Sequence, residues 1–163
     1  MIHLVEGDIL LSDAQAIVQG VCANDAMDKG LALALHERYP AMHKDFHHWC
    51  HQQHPQAGEA WLWSGVQGIR IINLLTQEGD ANHDHRHGLA TTTTVNHALR
   101  ALVKIIEKEK LTSIALPRLA TGAGGLDWAE VFPLLENHLG DLDIPVYIYT
   151  VYHANQTAIA HQV

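Results

Sequence analysis

Residues 113–128 read SIALPRLATGAGGLDW, and this stretch decides the fold. A short apolar strand over 113–116 ends at Pro117, and the glycine-rich loop over 121–125 leads into a helix that begins near Trp128. Open α/β sheets bind their ligands outside the carboxyl ends of the strands, where such a loop lies. Glycines lack a Cβ, so their amides can approach phosphate oxygens closely. The stretch predicts a phosphate-binding loop, although a lone glycine cluster is equally compatible with a flexible connection.

Strands and helices alternate on both sides of this loop. Apolar runs predict further strands over 2–5, 16–21, 59–64, 69–75 and 146–151. Helices are predicted over 30–39, 91–110 and 128–139, a polar, histidine-rich helix or loop over 41–54, and a surface loop over 77–88. This order predicts an α/β fold in which helices cover both faces of a mixed, mostly parallel sheet.

Length and composition indicate a single domain over residues 1–163. The chain has 163 residues, of which 47% are hydrophobic. No apolar run reaches the roughly 20 residues of a membrane helix, and the first residues do not resemble a signal peptide. Cys22 and Cys50 are too few for a disulfide framework and are expected to be free thiols. We therefore expect a soluble, cytoplasmic protein with no membrane partner.

The charge of the chain restricts the ligands that it can hold. A formal net charge of -8 opposes non-specific binding to nucleic acid, which requires a clustered basic face. Backbone amides and helix N-termini can hold a small anion without net positive charge. The composition therefore favours a small, locally bound anionic ligand.

Several further motifs follow one another in an order that resembles a known family. The glycine-rich loop and GGLDW over 124–128 resemble the second ligand loop of macrodomains. EGDI over 6–9, AIV over 16–18 with CAN over 22–24, Met27 with GLA over 30–32, and INLLT over 72–76 resemble other segments of that family. The resemblance spans residues 6–149 and is greatest to the bacterial branch related to terminal ADP-ribose glycohydrolases and DNA-ADP-ribose-removing antitoxins. It implies a three-layer α/β/α macrodomain.

The resemblance also implies a binding site for ADP-ribose. Asp8 would accept a hydrogen bond from the adenine amine, amides of the second loop would surround the diphosphate, and Asn24 in the first loop would hold the distal ribose. Asp8 and Asn24 are also compatible with simple turn residues, and Asp127 with Glu130 fits a helix-capping box better than catalysis. The implied ligand-binding residues are Asp8, Ile9, Ala23, Asn24, Gly30, Thr121, Gly122, Ala123, Gly124, Gly125 and Leu126.

Two positions depart from the pattern of the related hydrolases. Gln77 stands where those enzymes have a lysine, and Gly124 stands roughly where some of them have an acid. Catalysis would then depend on positioning the substrate and a water molecule, or on a residue of the histidine-rich segment 83–87, in which Arg86 could pair with phosphate. For both this segment and Lys29, a solvated surface position is the favoured interpretation. The candidate catalytic residues are Asn24, Lys29, His83, His85 and His87.

The resemblance implies a protein that binds ADP-ribose and removes ADP-ribosyl groups from a modified macromolecule. A reader that binds ADP-ribose without chemistry, and a phosphatase acting on ADP-ribose 1''-phosphate, are the alternatives. No cofactor is implied. The expected partner is ADP-ribose or an ADP-ribosylated macromolecule.

Histidines and tryptophans outside these motifs have simpler interpretations. His43, His47 and His51 repeat at four-residue spacing and could offer zinc ligands on one helical face, but no cysteine pairs accompany them. We predict solvent-exposed histidines and no metal. Trp61 and Trp63 share one face of a strand, where they would cover the core or a partner more readily than stack on adenine.

Overall fold

A mixed, mostly parallel sheet forms the centre of the computed structural model, which describes residues 1–79 and 87–160. Within these ranges the sheet has seven strands, which are Ile2–Gly7 (β1), Ala16–Val21 (β2), Ala60–Ser64 (β3), Arg70–Leu75 (β4), Ile114–Pro117 (β7), Val146–Tyr152 (β8) and Ile159–Ala160 (β9). Their spatial order is β3-β4-β2-β7-β8-β1-β9. The four inner pairings, from β4 to β1, are parallel, and the two outer pairings are antiparallel.

The central strand β2 shows why the fold has three layers. Ala16 and Val18 belong to one hydrophobic cluster, whereas Ile17 and Val21 belong to another on the opposite face. Because side chains alternate along a strand, an apolar run of this kind is stable only when both faces are covered. The prediction of a three-layer α/β/α arrangement is thus confirmed.

Four helices supply the outer layers in the described part of the chain. The helices α3 (Thr92–Glu109) and α4 (Trp128–Leu139) pack on one face, and α1 (Gly30–Arg38) and α2 (Pro40–Gln53) pack on the other. Thr91 caps α3 by accepting a hydrogen bond from the Thr94 amide at 3.0 Å. Asp127 occupies the N-cap of α4, and its amide donates to Glu130 Oε1 at 3.2 Å, as the capping-box interpretation requires.

The structure decides one segment that the sequence left open and corrects the prediction for another. Residues 41–54, left open between helix and loop, lie almost entirely in α2. The prediction of a surface loop over 77–88 was wrong at both ends, because Gln77–Gly79 (β5) and His87–Ala90 (β6) pair as antiparallel strands. Gln77 is only 4% exposed, since it lies beneath the glycine-rich loop. The two-residue strand β9 carried no periodic signal in the sequence.

Trp61 and Trp63 cover the core beside α2, as predicted. The Trp61 ring centroid lies 5.4 Å from that of Phe46 and 6.0 Å from that of Trp49. Trp63 donates a hydrogen bond from Nε1 to Asp45 Oδ2 at 2.8 Å. This aromatic cluster anchors α2 to the sheet. No helix in the described ranges is long and apolar enough to cross a membrane.

Phe46 provides a test of this packing, because it is fully buried at the centre of the aromatic cluster. We expect Phe46→Ala to lower the free energy of unfolding by about 3–5 kcal/mol, through lost burial and the cavity left behind. His48→Ala on the exposed side of α2 is the matched control and should change it by less than about 0.5 kcal/mol. Urea unfolding followed by tryptophan fluorescence measures both, and equal values would contradict the packing described.

Candidate ligand-binding groove

Two crevices adjoin at the carboxyl ends of the parallel strands. The first has a volume of about 420 Å³ and the second about 270 Å³. Both are lined by Gly30, Leu31 and Pro117, so they form one continuous groove. The groove lies between the loop after β2, here called the first loop (residues 22–29), and the loop after β7, here called the second loop (residues 118–127).

The first crevice presents one fixed carboxylate in apolar surroundings. Asp8 is 5% exposed, and its Oδ1 and Oδ2 accept hydrogen bonds from the amides of Leu10 and Asn155, each at 3.0 Å. A carboxylate oxygen can accept more than one hydrogen bond, so Asp8 can still receive an N–H donor from a ligand. Asp8 and Ile9, both predicted site residues, line this crevice. Its other lining residues are Gly7, Leu10, Gly30, Leu31, Ala34, Pro117, Tyr149 and Tyr152.

The second loop brings backbone amides to the second crevice. Gly122, Ala123 and Gly124 line it, and within the described ranges their amides donate to no backbone carbonyl. The amides of Gly125 and Leu126 instead close the loop, donating to Gly122 O at 3.1 Å and Ala120 O at 3.0 Å. Of the six predicted residues in this loop, the structure therefore places three amides where they can meet an anion.

The glycines of the second loop serve different purposes. A Cβ on Gly124 would lie 2.7 Å from Ala120 O and 3.0 Å from Gln77 Oε1, so a side chain there would clash. Gly125 has a φ of 79°, which favours glycine. A Cβ on Gly122 would meet no described atom within 4 Å, so a side chain there would project into open space beside the crevice.

The first loop contributes residues other than the one that the sequence singled out. Asn24 is exposed with a φ of 55°, and neither Asn24 nor Ala23 lines a crevice. Asp25, which is 1% exposed, lines the second crevice together with Lys29 and Gly30. Asp25 was not predicted from the sequence, although an acid directly after Asn24 at the end of a buried strand is a usable signal.

Asp25 holds the first loop in shape. Its Oδ1 accepts from the Met27 amide at 2.8 Å, and its Oδ2 accepts from the Cys22 amide at 3.1 Å and from Cys22 Sγ at 3.6 Å. Burial, followed by the nearby Asp25 carboxylate, raises the pKa of the Cys22 thiol. Cys22 thus stays protonated and acts as a hydrogen-bond donor.

Two cations flank the second crevice in this otherwise acidic protein. Arg118 and Lys29 both line it, and both are exposed. The Arg118 guanidinium carbon lies 5.4 Å from the centroid of the Trp128 ring, a cation–π contact that orients the side chain. Arg118 was not predicted as a site residue, although it follows the strand end in the same loop as the glycines. The pair adds local positive charge beside the loop amides.

The remaining predicted catalytic residues lie in or next to the segment that the structure does not describe. His83 and His85 lie outside the described residues, as does Arg86. The His87 backbone belongs to β6, but its side chain is also outside the description. Their roles stay predictions.

Three histidines pack behind the first loop, and this corrects the expectation that His43 and His47 are solvent-exposed, whereas His51 is exposed as predicted. His43 stacks between His36 and His47, with ring centroids 3.8 and 4.2 Å away, and all three are half-buried. His47 Nε2 donates to Asp25 O at 2.8 Å, and His36 Nδ1 donates to Met27 O at 3.3 Å. In the described ranges no group of histidine, cysteine or acidic residues is arranged to hold a metal ion.

Comparison with known proteins extends these observations. The chain is 30% identical over 162 residues to a DNA ADP-ribosyl transferase-DNA ADP-ribosyl glycohydrolase fusion protein of Thermosipho africanus, covering 91% of this chain and 41% of that protein. It is 29% identical over 153 residues to a DNA ADP-ribosyl glycohydrolase of Mycobacterium tuberculosis, covering 90% of this chain and 42% of that protein. The chain thus spans about two fifths of the length of these relatives.

Solved structures show the same fold. The macrodomain of Mycobacterium tuberculosis DarG superposes with a TM-score of 0.81 at 29% identity, covering 91% of this chain and 97% of that one. Thermosipho africanus DarTG in complex with ADP-ribose superposes with a TM-score of 0.81 at 26% identity, covering 96% of this chain and 42% of that one.

The fold and the groove define an α/β domain with two loops at the carboxyl ends of its parallel strands, the edge at which open α/β sheets bind their ligands. The Macro domain family model matches residues 21–135, so the chain belongs to the macrodomain family. The resemblance to the bacterial branch of that family is confirmed.

The histidine stack should make folding stability depend on pH. Burial, and then the charges of His47 and His36, lower the pKa of His43 below its ordinary value. The unfolded chain therefore takes up a proton more readily than the folded chain as pH falls through about 6.5, and stability falls with it. We expect His43→Phe, which keeps a ring but cannot titrate, to reduce the loss of Tm between about pH 7.5 and 5.5.

The pKa of His138 is also lowered, by burial and then by Arg100, so some pH dependence should remain in the variant. Thermal unfolding at both pH values measures the difference. A loss of Tm in His43→Phe that is as large as in the wild type would show that the stack does not resist protonation.

Proposed function

We propose that the groove binds ADP-ribose, with adenine in the first crevice, the diphosphate on the second loop and the distal ribose in the second crevice. The observation that carries this proposal is the continuity of the groove through Gly30, Leu31 and Pro117. One end holds the Asp8 carboxylate, which suits the adenine amine. The other end presents the amides of the second loop, which suit phosphate oxygens.

Support comes from the related proteins. The Thermosipho africanus relative has been solved in complex with ADP-ribose, and the curated relatives are named DNA ADP-ribosyl glycohydrolases. We propose that this chain, a single macrodomain over residues 1–163, removes ADP-ribosyl groups from a modified macromolecule. DNA is the substrate to test first.

The reaction would be hydrolysis at the anomeric carbon of the distal ribose. The oxygen of a water molecule forms a bond to that carbon, the bond from the carbon to the macromolecule breaks, and the leaving atom receives a proton from the water. By the family resemblance, Gln77 takes the position of a lysine of related hydrolases, and an amide cannot act as nucleophile or general base. Positioning of the sugar and the water in the second crevice is therefore the main source of rate. Among the predicted catalytic residues, the side chains that can transfer a proton are those of Lys29, His83, His85 and His87, whereas the Asn24 amide cannot.

A reader without catalytic activity is the second candidate. The observation that favours it is the Gln77 side chain, which lies under the second loop and lines the second crevice. A reader requires the same groove and the same contacts with adenine and phosphate. Binding measurements therefore test the groove, and turnover separates the two functions.

Gly122→Val tests the position of the diphosphate, because the added side chain meets no described atom and would project beside the loop amides. We expect the affinity for ADP-ribose to fall about 10- to 100-fold, as amide contacts to a charged group are lost. Isothermal titration calorimetry measures the affinity. Ala129→Val, an exposed position on α4 just beyond the loop, is the control and should bind like the wild type. If Gly122→Val binds ADP-ribose with wild-type affinity, the diphosphate does not lie against the amides of the second loop.

Turnover is tested on an oligonucleotide carrying a single ADP-ribosyl group. We expect the wild-type protein, at a concentration well below that of the substrate, to release free ADP-ribose, which chromatography detects. Gly122→Val should release far less ADP-ribose, because the substrate no longer binds in the groove. If the protein binds the modified oligonucleotide but releases no ADP-ribose, it acts as a reader toward this substrate. An ADP-ribosylated protein would then be tested as substrate in the same way.

A further inference from the structure

The segment that joins β8 to β9, here called the β8–β9 turn (residues 153–158), crosses the end of β1 beside the first crevice. β8 pairs with one side of β1 and β9 pairs with the other, so the turn passes over the carboxyl end of β1. The His153 amide donates to Gly7 O at 3.1 Å, and the Asp8 amide donates to Gln156 O at 2.8 Å. The turn is thus bonded to the backbone of both residues at this strand end.

Gly7 allows the β8–β9 turn to lie directly against β1. Its φ of 149° falls in the region that favours glycine. A Cβ on Gly7 would lie 2.9 Å from Gln156 O and 3.1 Å from the Cα of Ala158. A side chain at this position would therefore push the turn away from Asp8.

One amide of the β8–β9 turn reaches the Asp8 carboxylate itself. The Asn155 amide donates to Asp8 Oδ2 at 3.0 Å, whereas Asp8 Oδ1 accepts from the nearby Leu10 amide at 3.0 Å. Asn155 has a φ of 62°, a conformation that asparagine tolerates better than most residues. Because Asn155 is exposed, its conformation is set by the turn and not by burial in the core.

The hydrogen bond from Asn155 fixes the plane of the Asp8 carboxylate. Rotation about the bond between Cβ and Cγ of an aspartate has broad minima, so a single hydrogen bond leaves the carboxylate free to turn. The Leu10 amide holds one oxygen, and the Asn155 amide holds the other. Both oxygens therefore have set positions at the wall of the first crevice, and so do the lone pairs that remain for a ligand.

We propose that Asn155 is a positioning residue, whose backbone amide orients the Asp8 carboxylate so that the first crevice selects adenine by its amine. This inference rests on the proposed function, because it takes the place of adenine in the groove from it. Asn155 lines neither crevice, so it acts through Asp8. A fixed carboxylate that faces the amine of adenine repels a carbonyl oxygen at the same place, whereas a carboxylate that is free to turn can avoid it.

The test compares ADP-ribose with inosine diphosphate ribose, whose base carries a carbonyl oxygen and a ring N–H in place of the amine and ring nitrogen of adenine. Isothermal titration calorimetry gives the ratio of the two affinities, which should favour ADP-ribose by roughly tenfold or more in the wild type. We expect Asn155→Pro, which lacks the amide proton and cannot adopt a positive φ, to lower this ratio by roughly threefold or more. Asn155→Val, whose β-branched side chain disfavours a positive φ, replaces it if Asn155→Pro does not fold.

Asn155→Gly is the matched control, because glycine keeps the amide and adopts a φ of 62° without strain. It should keep the wild-type ratio. If Asn155→Gly lowers the ratio as much as Asn155→Pro does, the side chain and not the amide is responsible, and the inference is wrong. An unchanged ratio in Asn155→Pro would overturn the inference and leave the proposed function standing. If the wild type binds both ligands equally, the proposed placement of adenine fails, and the inference fails with it.

Discussion

The site depends on a small set of backbone amides that the fold leaves open. Buried backbone N–H groups in proteins are almost always paired. In the second loop, the amides of Gly125, Leu126 and Asp127 are paired. The amides of Gly125 and Leu126 close the loop onto itself, whereas Gly122, Ala123 and Gly124 line the second crevice and, in the described part of the chain, their amides donate to no backbone carbonyl. Gly124 cannot carry a side chain without meeting Ala120 O, so the shape of the loop and its sequence are tied together.

This arrangement explains how a chain with a net charge of -8 can hold an anion. The attraction is local: amide dipoles lie at the strand ends, and Arg118 and Lys29 stand beside them. The Asp8 carboxylate is kept at the far end of the groove, in the first crevice, where a base and not a phosphate would meet it. The groove thus carries its negative charge in the first crevice and its positive charge at the second. This distribution suits a ligand that is anionic at its centre and carries an amine at one end.

Much of the fold could be predicted from the sequence, because its signals are local. The sequence signals include the buried apolar run of β2, the apolar stripe of α3 and the capping residues of α4. Each of these signals is formed by residues that are close together in the sequence. The second loop and Asp8 were also predictable, since both follow strand ends. The histidine stack was not, because it brings His36 of α1 and His43 and His47 of α2 together behind the first loop, where His47 bonds to Asp25 O. The pairing of Gln77–Gly79 with His87–Ala90 was missed for the same reason.

The most direct test of this account follows the backbone amides of the second loop by two-dimensional ¹⁵N–¹H NMR during titration with ADP-ribose. Hydrogen bonding to phosphate should move the proton resonances of Gly122, Ala123 and Gly124 downfield in a saturable manner. The amides of Gly125 and Leu126, already bonded within the loop, should move less. Saturable shifts confined to other parts of the protein, with these three resonances unmoved, would contradict the claim that the open amides of this loop hold the ligand.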